Sequence, residues 1–335
     1  MSTTVENNTE PTTELSKQYD TPLGLAHTTM QALKDRIKQH YDLASDYYLS
    51  LWGEHIHHGY WPNDHSKTTE SKETAQINLI NLLLEISSLS SSAQPLKVLD
   101  VGCGLGGTSR FLASQLGASV TGITISSKQV QIATRLSREA SSSPPPEGEK
   151  PNDFIPIGEK GGQVRFIELD AEKMGEFFAE DKDKFDVVWI SEALSHFPDK
   201  ALFFGNAFAV LKGEGKGKLV LADWFKDEGL SEESFNADIK PIEDGMLLPP
   251  MCTQQDYVDL AKQAGLDVLG GPKDISQDVS KTWDISWSLV QSPSLWAFAF
   301  SQGRDGIAFL QAFRAMRRGY ANGSFRYAVV AFVKP

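Results

Sequence analysis

The sequence predicts an α/β fold in which a mostly parallel sheet carries helices on its faces. Two patterns carry that expectation. Short apolar runs of strand length alternate with segments at helical spacing, the rhythm of right-handed strand–helix–strand crossovers. The runs also end in polar residues, at Gly102, at Thr124-Ile125-Ser126, at Asp170-Ala171-Glu172, at Ser191-Glu192 and at Asp223-Trp224. In open α/β sheets, that carboxyl edge is where ligands bind.

Taken in order, residues 1–22 are Thr, Asn and Glu with few apolar side chains and are expected to form a disordered tail. Residues 23–96 are expected to form an N-terminal helical cap. Ile37, Tyr41 and Ala44 recur at helical spacing, as do Tyr48 and Trp52, and Ile77, Ile80, Leu83 and Leu84 line one side of a helix over 74–88. The main domain is expected over 97–335. It opens with the apolar run Val98, Leu99 and Val101, with Asp100 inside it, followed at once by Gly102, Gly104, Gly106 and Gly107 and by a helix from Thr108 and Ser109. A second strand over 119–125 precedes Ser126-Ser127, an N-cap for the helix after it. Residues 140–162 contain SSSPPPEGEKP and are expected to be a mobile insertion that buries no core. Further strands are expected over 164–169, 185–190, 218–222 and 327–333, with a capped helix over 253–264. Residues 225–250 and the Trp- and Phe-rich stretch 273–320 break the rhythm and are expected to be lid segments over the substrate.

The glycine turn is the most informative motif. Glycines let the backbone approach a ligand and take positive φ, and the helix N-terminus behind them offers unpaired N–H groups. The spacing here is Asp-x-Gly-x-Gly-x-Gly, with the acid before the glycines. A dinucleotide site has Gly-x-Gly-x-x-Gly with an acid about 20 residues later. That later acid is missing, since the second strand ends Gly-Ile-Thr-Ile-Ser, which argues against a nicotinamide-dependent oxidoreductase. An early acid suits a cationic ligand.

Composition narrows the class further. The 335-residue chain is 40% hydrophobic and 23% charged, ordinary for a globular protein, and its net charge of −12 disfavours nucleic acid and anionic membranes as partners. Two cysteines, Cys103 and Cys252, give neither a disulfide framework nor a thiolate metal site. The polar N-terminus has no apolar signal core and no run of 18 apolar residues occurs, so a cytoplasmic protein without integral membrane association is expected. Oligomeric state is not legible.

The segments HYDLASDYY, LWGEHIHHGYW, GITISSKQ, DAEKM, SEALSHFPD and LLPPMCTQQDYVDLAKQAGL together resemble class I S-adenosylmethionine-dependent methyltransferases, in the tocopherol C-methyltransferase-like branch. The sterol and cyclopropane-fatty-acid methyltransferases are its relatives, and plant alkaloid N-methyltransferases belong to it. ISQDVSKTW and RRGYANGSFRYAVVAF also fit that branch. The resemblance spans about residues 37–335. It implies a Rossmann-like, seven-stranded, mostly parallel sheet with an N-terminal and an inserted helical lid, and S-adenosyl-L-methionine as cofactor. It implies that Asp100, Gly102, Cys103, Gly104 and Gly106 line the methionine end, with Ser191 beside them. Thr124, Ile125 and Gln129 would serve the ribose and adenosine, Asp170 and Ala171 the adenine, and Tyr41 would close over the cofactor. An aromatic face also attracts a sulfonium by cation–π interaction.

The expected activity is in-line methyl transfer to N, C or O of a small apolar or aromatic, natural-product-like metabolite. The other reading is a methyltransferase fold repurposed as a cyclase or binding module. His196 follows the strand that ends in Ser191 and is the candidate base, since histidine titrates near neutrality; its alternative is a turn-packing role. Glu192, four residues earlier, is a second catalytic candidate that would orient His196 or bind an amine, or else an acid at a helix start. Five of the seven histidines lie between His40 and His65. Among them His57 and His58, with Tyr60 and Trp61, are candidates for the acceptor pocket, the alternative being aromatic packing. No metal is expected, because His-x-His-His lacks a partner acid at a known spacing.

Overall fold

The computed structural model describes residues 30–62, 69–91, 94–141, 143–144, 148, 150, 152–180, 184–290, 296, 300 and 304–335. The expected tail over 1–22, His65 and part of the 140–162 segment lie outside the described residues.

Eight strands form one sheet: β1 (Lys97–Val101), β2 (Ser119–Thr124), β3 (Ile155–Ile157), β4 (Gly162–Glu168), β5 (Val187–Ser191), β6 (Lys218–Lys226), β7 (Asp267–Asp274) and β8 (Phe325–Val333). Their order is β3-β4-β2-β1-β5-β6-β8-β7. The five from β4 to β6 run parallel, while β3, β8 and β7 pair antiparallel. The expected count of seven is therefore one short. β3 lies inside the 140–162 segment, where Ile155 and Ile157 are buried either side of exposed Pro156. That part of the segment does bury core, contrary to expectation. β7 was also unforeseen: Gly270-Gly271-Pro272 interrupts it and its residues are nearly all exposed, which only an edge strand tolerates.

The central strands are buried on both faces, so they read as continuous apolar runs. Alternate residues feed opposite cores. Val98, Val120, Val164 and Val220 pack with α2 (Lys72–Ile86), α3 (Gly107–Leu116) and α4 (Ser127–Ala140). Leu99, Ile123, Val188 and Leu219 pack with α5 (Lys200–Val210) and α6 (Gln254–Gln263). Helix starts are marked by side chains: Ser126 accepts from Gln129 N at 3.1 Å, and Thr253 with Asp256 forms a capping box at α6.

Above the carboxyl edge lies α1 (Met30–Trp52), held by polar contacts. Lys34 pairs with Asp170 at 2.9 Å and with Glu172, Lys38 donates to the Ile125 carbonyl at 3.0 Å, and Asp42 accepts from Ser126 Oγ at 2.6 Å. The turns over Glu232–Ser234, Phe235–Ile239 and Lys240–Gly245, with α7 (Lys281–Val290) and α8 (Arg304–Asn322), form the other side.

Candidate active site: two clefts and a shared wall

Under α1 a cleft of about 820 Å³ opens at the ends of β1, β2, β4 and β5. Nine predicted cofactor residues line it: Gly102 and Gly104 after β1, Thr124, Ile125 and Gln129 after β2, Asp170 and Ala171 after β4, Ser191 on β5, and Tyr41 from α1. Asp100 and Cys103 line a smaller pocket beside it, which shares Gly102, Gly104 and Ser191 with the main cleft. Gly106 lines neither. It takes φ +75° as the N-cap of α3, and a Cβ there would meet the Phe166 ring at 2.6 Å. Its role in this structure is to let the loop pack on β4.

The floor of this cleft is bare backbone. Gly102 and Gly104 take φ +69° and +53°; a Cβ on Gly102 would strike Ala193 at 2.4 Å, and one on Gly104 would touch only Ile56 Cδ1 at 3.9 Å. Asp100 is buried and accepts from Ser109 Oγ at 2.6 Å. Burial pushes its carboxyl up to about 7, against the pull of that hydrogen bond. Thr124 Oγ1 donates to Gln129 Oε1 at 2.6 Å. A glycine floor, a buried acid and no carboxylate after β2 together fit S-adenosylmethionine, whose sulfur and ammonium are positive.

A second cavity of about 760 Å³ adjoins the first. Its walls are mostly aromatic: Tyr48, Trp52, Trp224, Trp283, Phe309 and Phe313, with His40, His57 and His58 among them. Tyr41, Ile56, Glu192 and His196 line both spaces and form the wall between them.

Glu192 sits at φ +55°, a strained conformation for a non-glycine residue. Its Oε1 accepts from His58 N at 2.6 Å, His58 Nδ1 at 3.0 Å and the Tyr327 hydroxyl at 2.7 Å. Burial alone would raise its carboxyl, but the charge and hydrogen bonds of His58 outweigh that and hold it below its usual value. The Tyr320 hydroxyl lies 3.2 Å from His58 Nε2, completing a buried chain of four groups. Glu192 thus orients His58, not His196 as expected. The segment after Ser191 turns as a 3-10 helix over Leu194–His196, which removes the one-face relation that an α-helix would give.

His196 Nε2 is 3.3 Å from the Tyr41 hydroxyl. Burial, then the charges of His40 and Lys200, lower the imidazole to about 4, so it is neutral at pH 7. Burial and the Glu192 charge raise the Tyr41 phenol. His57 Nδ1 donates to the His58 carbonyl at 2.9 Å, and burial foremost lowers its pKa. Tyr60 and Trp61, expected at the acceptor, line neither cleft. The chain turns there onto α2, with Tyr60 N bonded to the Ala75 carbonyl at 2.8 Å and the Trp61 ring fully buried beside Gly59 and Ala75.

Among the described residues, no group of three or more His, Cys, Asp or Glu side chains could hold a metal, and no helix is long and apolar enough to cross a membrane. Sequence reasoning missed Tyr320, Tyr327 and Lys34, and it placed Trp224 at the carboxyl edge without giving it a role. The three missed residues carry no local signal, because each reaches the site from a different part of the chain.

The architecture and the cleft define the class I methyltransferase fold. Residues 99–217 match the family model described as a methyltransferase domain, and residues 28–143 match that of mycolic acid cyclopropane synthetase. The chain is 30% identical over 313 residues to the probable chloroplastic tocopherol O-methyltransferase of Oryza sativa subsp. japonica, covering 90% of this chain and 79% of that one. It is 27% identical over 327 residues to the chloroplastic tocopherol O-methyltransferase of Arabidopsis thaliana, covering 92% and 85%. The solved structure of mycolic acid cyclopropane synthase CmaA1, complexed with SAH and CTAB, superposes with a TM-score of 0.70 at 18% identity, covering 90% of this chain and 98% of that one; at that identity it shows the fold. The chain belongs to the S-adenosylmethionine-dependent methyltransferases, in the branch of the tocopherol methyltransferases, and its cofactor is S-adenosylmethionine. The expectation of a cytoplasmic protein draws no support from two relatives named chloroplastic.

Proposed function

We propose that this enzyme methylates a small, apolar, aromatic metabolite held in the second cavity, with the cofactor in the first and His196 as proton acceptor. The observation that carries the reading is the shared wall of Tyr41, Ile56, Glu192 and His196. S-adenosylmethionine, when bound, supplies an activated methyl group on a positive sulfur. The protein's contribution is then alignment of two reactants across that wall, which can supply most of the rate. Gly102 and Gly104 leave room for the cofactor, and the Asp100 and Glu192 carboxylates and the Tyr41 ring complement its charge. Trp283, Phe309 and Phe313 take up an apolar acceptor and keep water out. Two relatives named for tocopherol support an acceptor of that kind.

His196 is a weak base in this setting, and a weak base suffices. A hydroxyl oxygen or ring carbon becomes strongly acidic as it takes up the methyl group, so neutral His196 can accept the released proton directly or through Tyr41. His196→Ala is expected to lower kcat about 100-fold while S-adenosylhomocysteine affinity stays within about threefold. Equal losses in both, or in neither, would overturn the assignment. Mass spectrometry of the product for one added methyl group tests transfer itself.

A further inference from the structure

The second cavity is aromatic, yet its wall carries polar ring atoms that the protein leaves open. Most polar groups there are engaged: His40 meets Tyr48 at 2.7 Å, Thr282 Oγ1 accepts from Gly59 N at 3.1 Å, and His58 and Glu192 hold each other. Two nitrogens differ. His57 Nε2 and Trp224 Nε1 are buried, and no hydrogen-bonding group of the described residues reaches either. His196 Nδ1 and Trp283 Nε1 are also short of good geometry, but they have the Leu247 backbone and the Tyr320 hydroxyl close by.

The two open atoms have opposite chemistry. The His58 carbonyl can only accept, so His57 Nδ1 carries the hydrogen and Nε2 presents a bare lone pair. An indole N–H can only donate. Both side chains are more than nine-tenths buried, His57 at 7% and Trp224 at 9% exposure. Buried polar atoms without partners are rare in folded proteins, and each asks for an explanation. Both residues line this cavity, His57 also bordering the smaller pocket beside Gly102, and a donor and an acceptor without partners complement a group that is both at once. An ammonium would satisfy His57 and leave Trp224 open. A ketone or carboxylate would satisfy Trp224 and face the His57 lone pair with another. A hydroxyl satisfies both.

We infer that His57 and Trp224 form a hydroxyl-reading subsite, which selects phenolic or alcoholic acceptors over the same molecules capped as ethers. The inference rests on the reading of the second cavity as the acceptor pocket. The hydroxyl donates to His57 Nε2 and accepts from Trp224 Nε1.

The test titrates protein loaded with S-adenosylhomocysteine with 2-naphthol and with 2-methoxynaphthalene, at neutral pH, following ligand fluorescence. Wild-type protein is expected to bind the naphthol about tenfold tighter or better. His57→Phe should bring the ratio to within about twofold by weakening the naphthol alone, and Trp224→Phe should weaken both probes, since both oxygens accept. Equal binding of the two probes to wild-type protein, no binding of either, or a preference that survives His57→Phe would overturn the subsite. The wild-type ratio decides even if a variant does not fold, which its Tm reports. Failure of S-adenosylhomocysteine to bind wild-type protein, read separately by calorimetry, would instead sink the cofactor assignment beneath it.

Discussion

The two clefts share a wall but are built in different ways. The cofactor cleft is assembled at the ends of neighbouring parallel strands, and its floor is backbone: Gly102, Gly104 and the turn after β2. The acceptor cavity is assembled from side chains of α1, the segment around His57, the end of β6, α7 and α8, and it is held together by the buried chain Tyr320–His58–Glu192–Tyr327. Damage to the first should therefore fall chiefly on binding. Damage to the second should reach stability as well as activity.

The largest expected effect is at the backbone floor. Gly102→Val forces a side chain into φ +69° and against Ala193. S-adenosylhomocysteine affinity, measured by calorimetry, should fall by about 100-fold or more, since bound and free backbone can no longer coincide. Retained affinity would show that the floor is not where the cofactor lies. His58→Ala makes the opposite case. It strips the imidazole from the buried Glu192 carboxylate, which keeps only the His58 backbone N–H and the Tyr327 hydroxyl, at a cost of about 3 kcal/mol, and Tm should fall on the order of 10 °C. An unchanged Tm would mean that the four-group chain does not support the cavity.

Charge at the cofactor cleft gives an effect of intermediate size. The Asp100 carboxyl is raised to about 7 in the folded protein. A raised carboxyl contributes stability that is fully present below its unfolded pKa and is lost as pH rises through about 7. A cationic ligand favours the ionised form, so S-adenosylmethionine affinity should rise about tenfold from pH 6 to 8, with proton release on binding. Asp100→Asn should flatten that profile, and a flat profile in wild-type protein would contradict it. The smallest effect is expected at the lid. Lys34 ties α1 to Asp170 and Glu172 near the protein surface. Lys34→Ala should weaken the cofactor about two- to fivefold at low salt, with the difference shrinking as salt is added.

The same contrast explains what could be read from the sequence. Gly102, Gly104, Thr124, Asp170 and Ser191 each lie at or just past the end of an apolar run and Asp100 lies inside one, so locating the strands located them. The acceptor cavity gave no such signal. Tyr327 meets Glu192 across 135 positions and Tyr320 meets His58 across 262. His57 and His58 stood out only as an unusual cluster, and the same cluster drew in Tyr60 and Trp61, which pack on α2 instead. The two edge strands escaped for a compositional reason. Ile155 and Ile157 follow a Ser/Pro/Gly/Glu-rich stretch, and Gly270-Gly271-Pro272 has the look of a turn.

The most direct measurement is a crystal structure with S-adenosylhomocysteine bound. The account expects the ligand under α1, with its amino-acid end over Gly102 and Gly104 and its adenine beside Asp170 and Ala171. A ligand seated instead in the aromatic cavity beyond Tyr41 and His196, or on any other face of the protein, would contradict it.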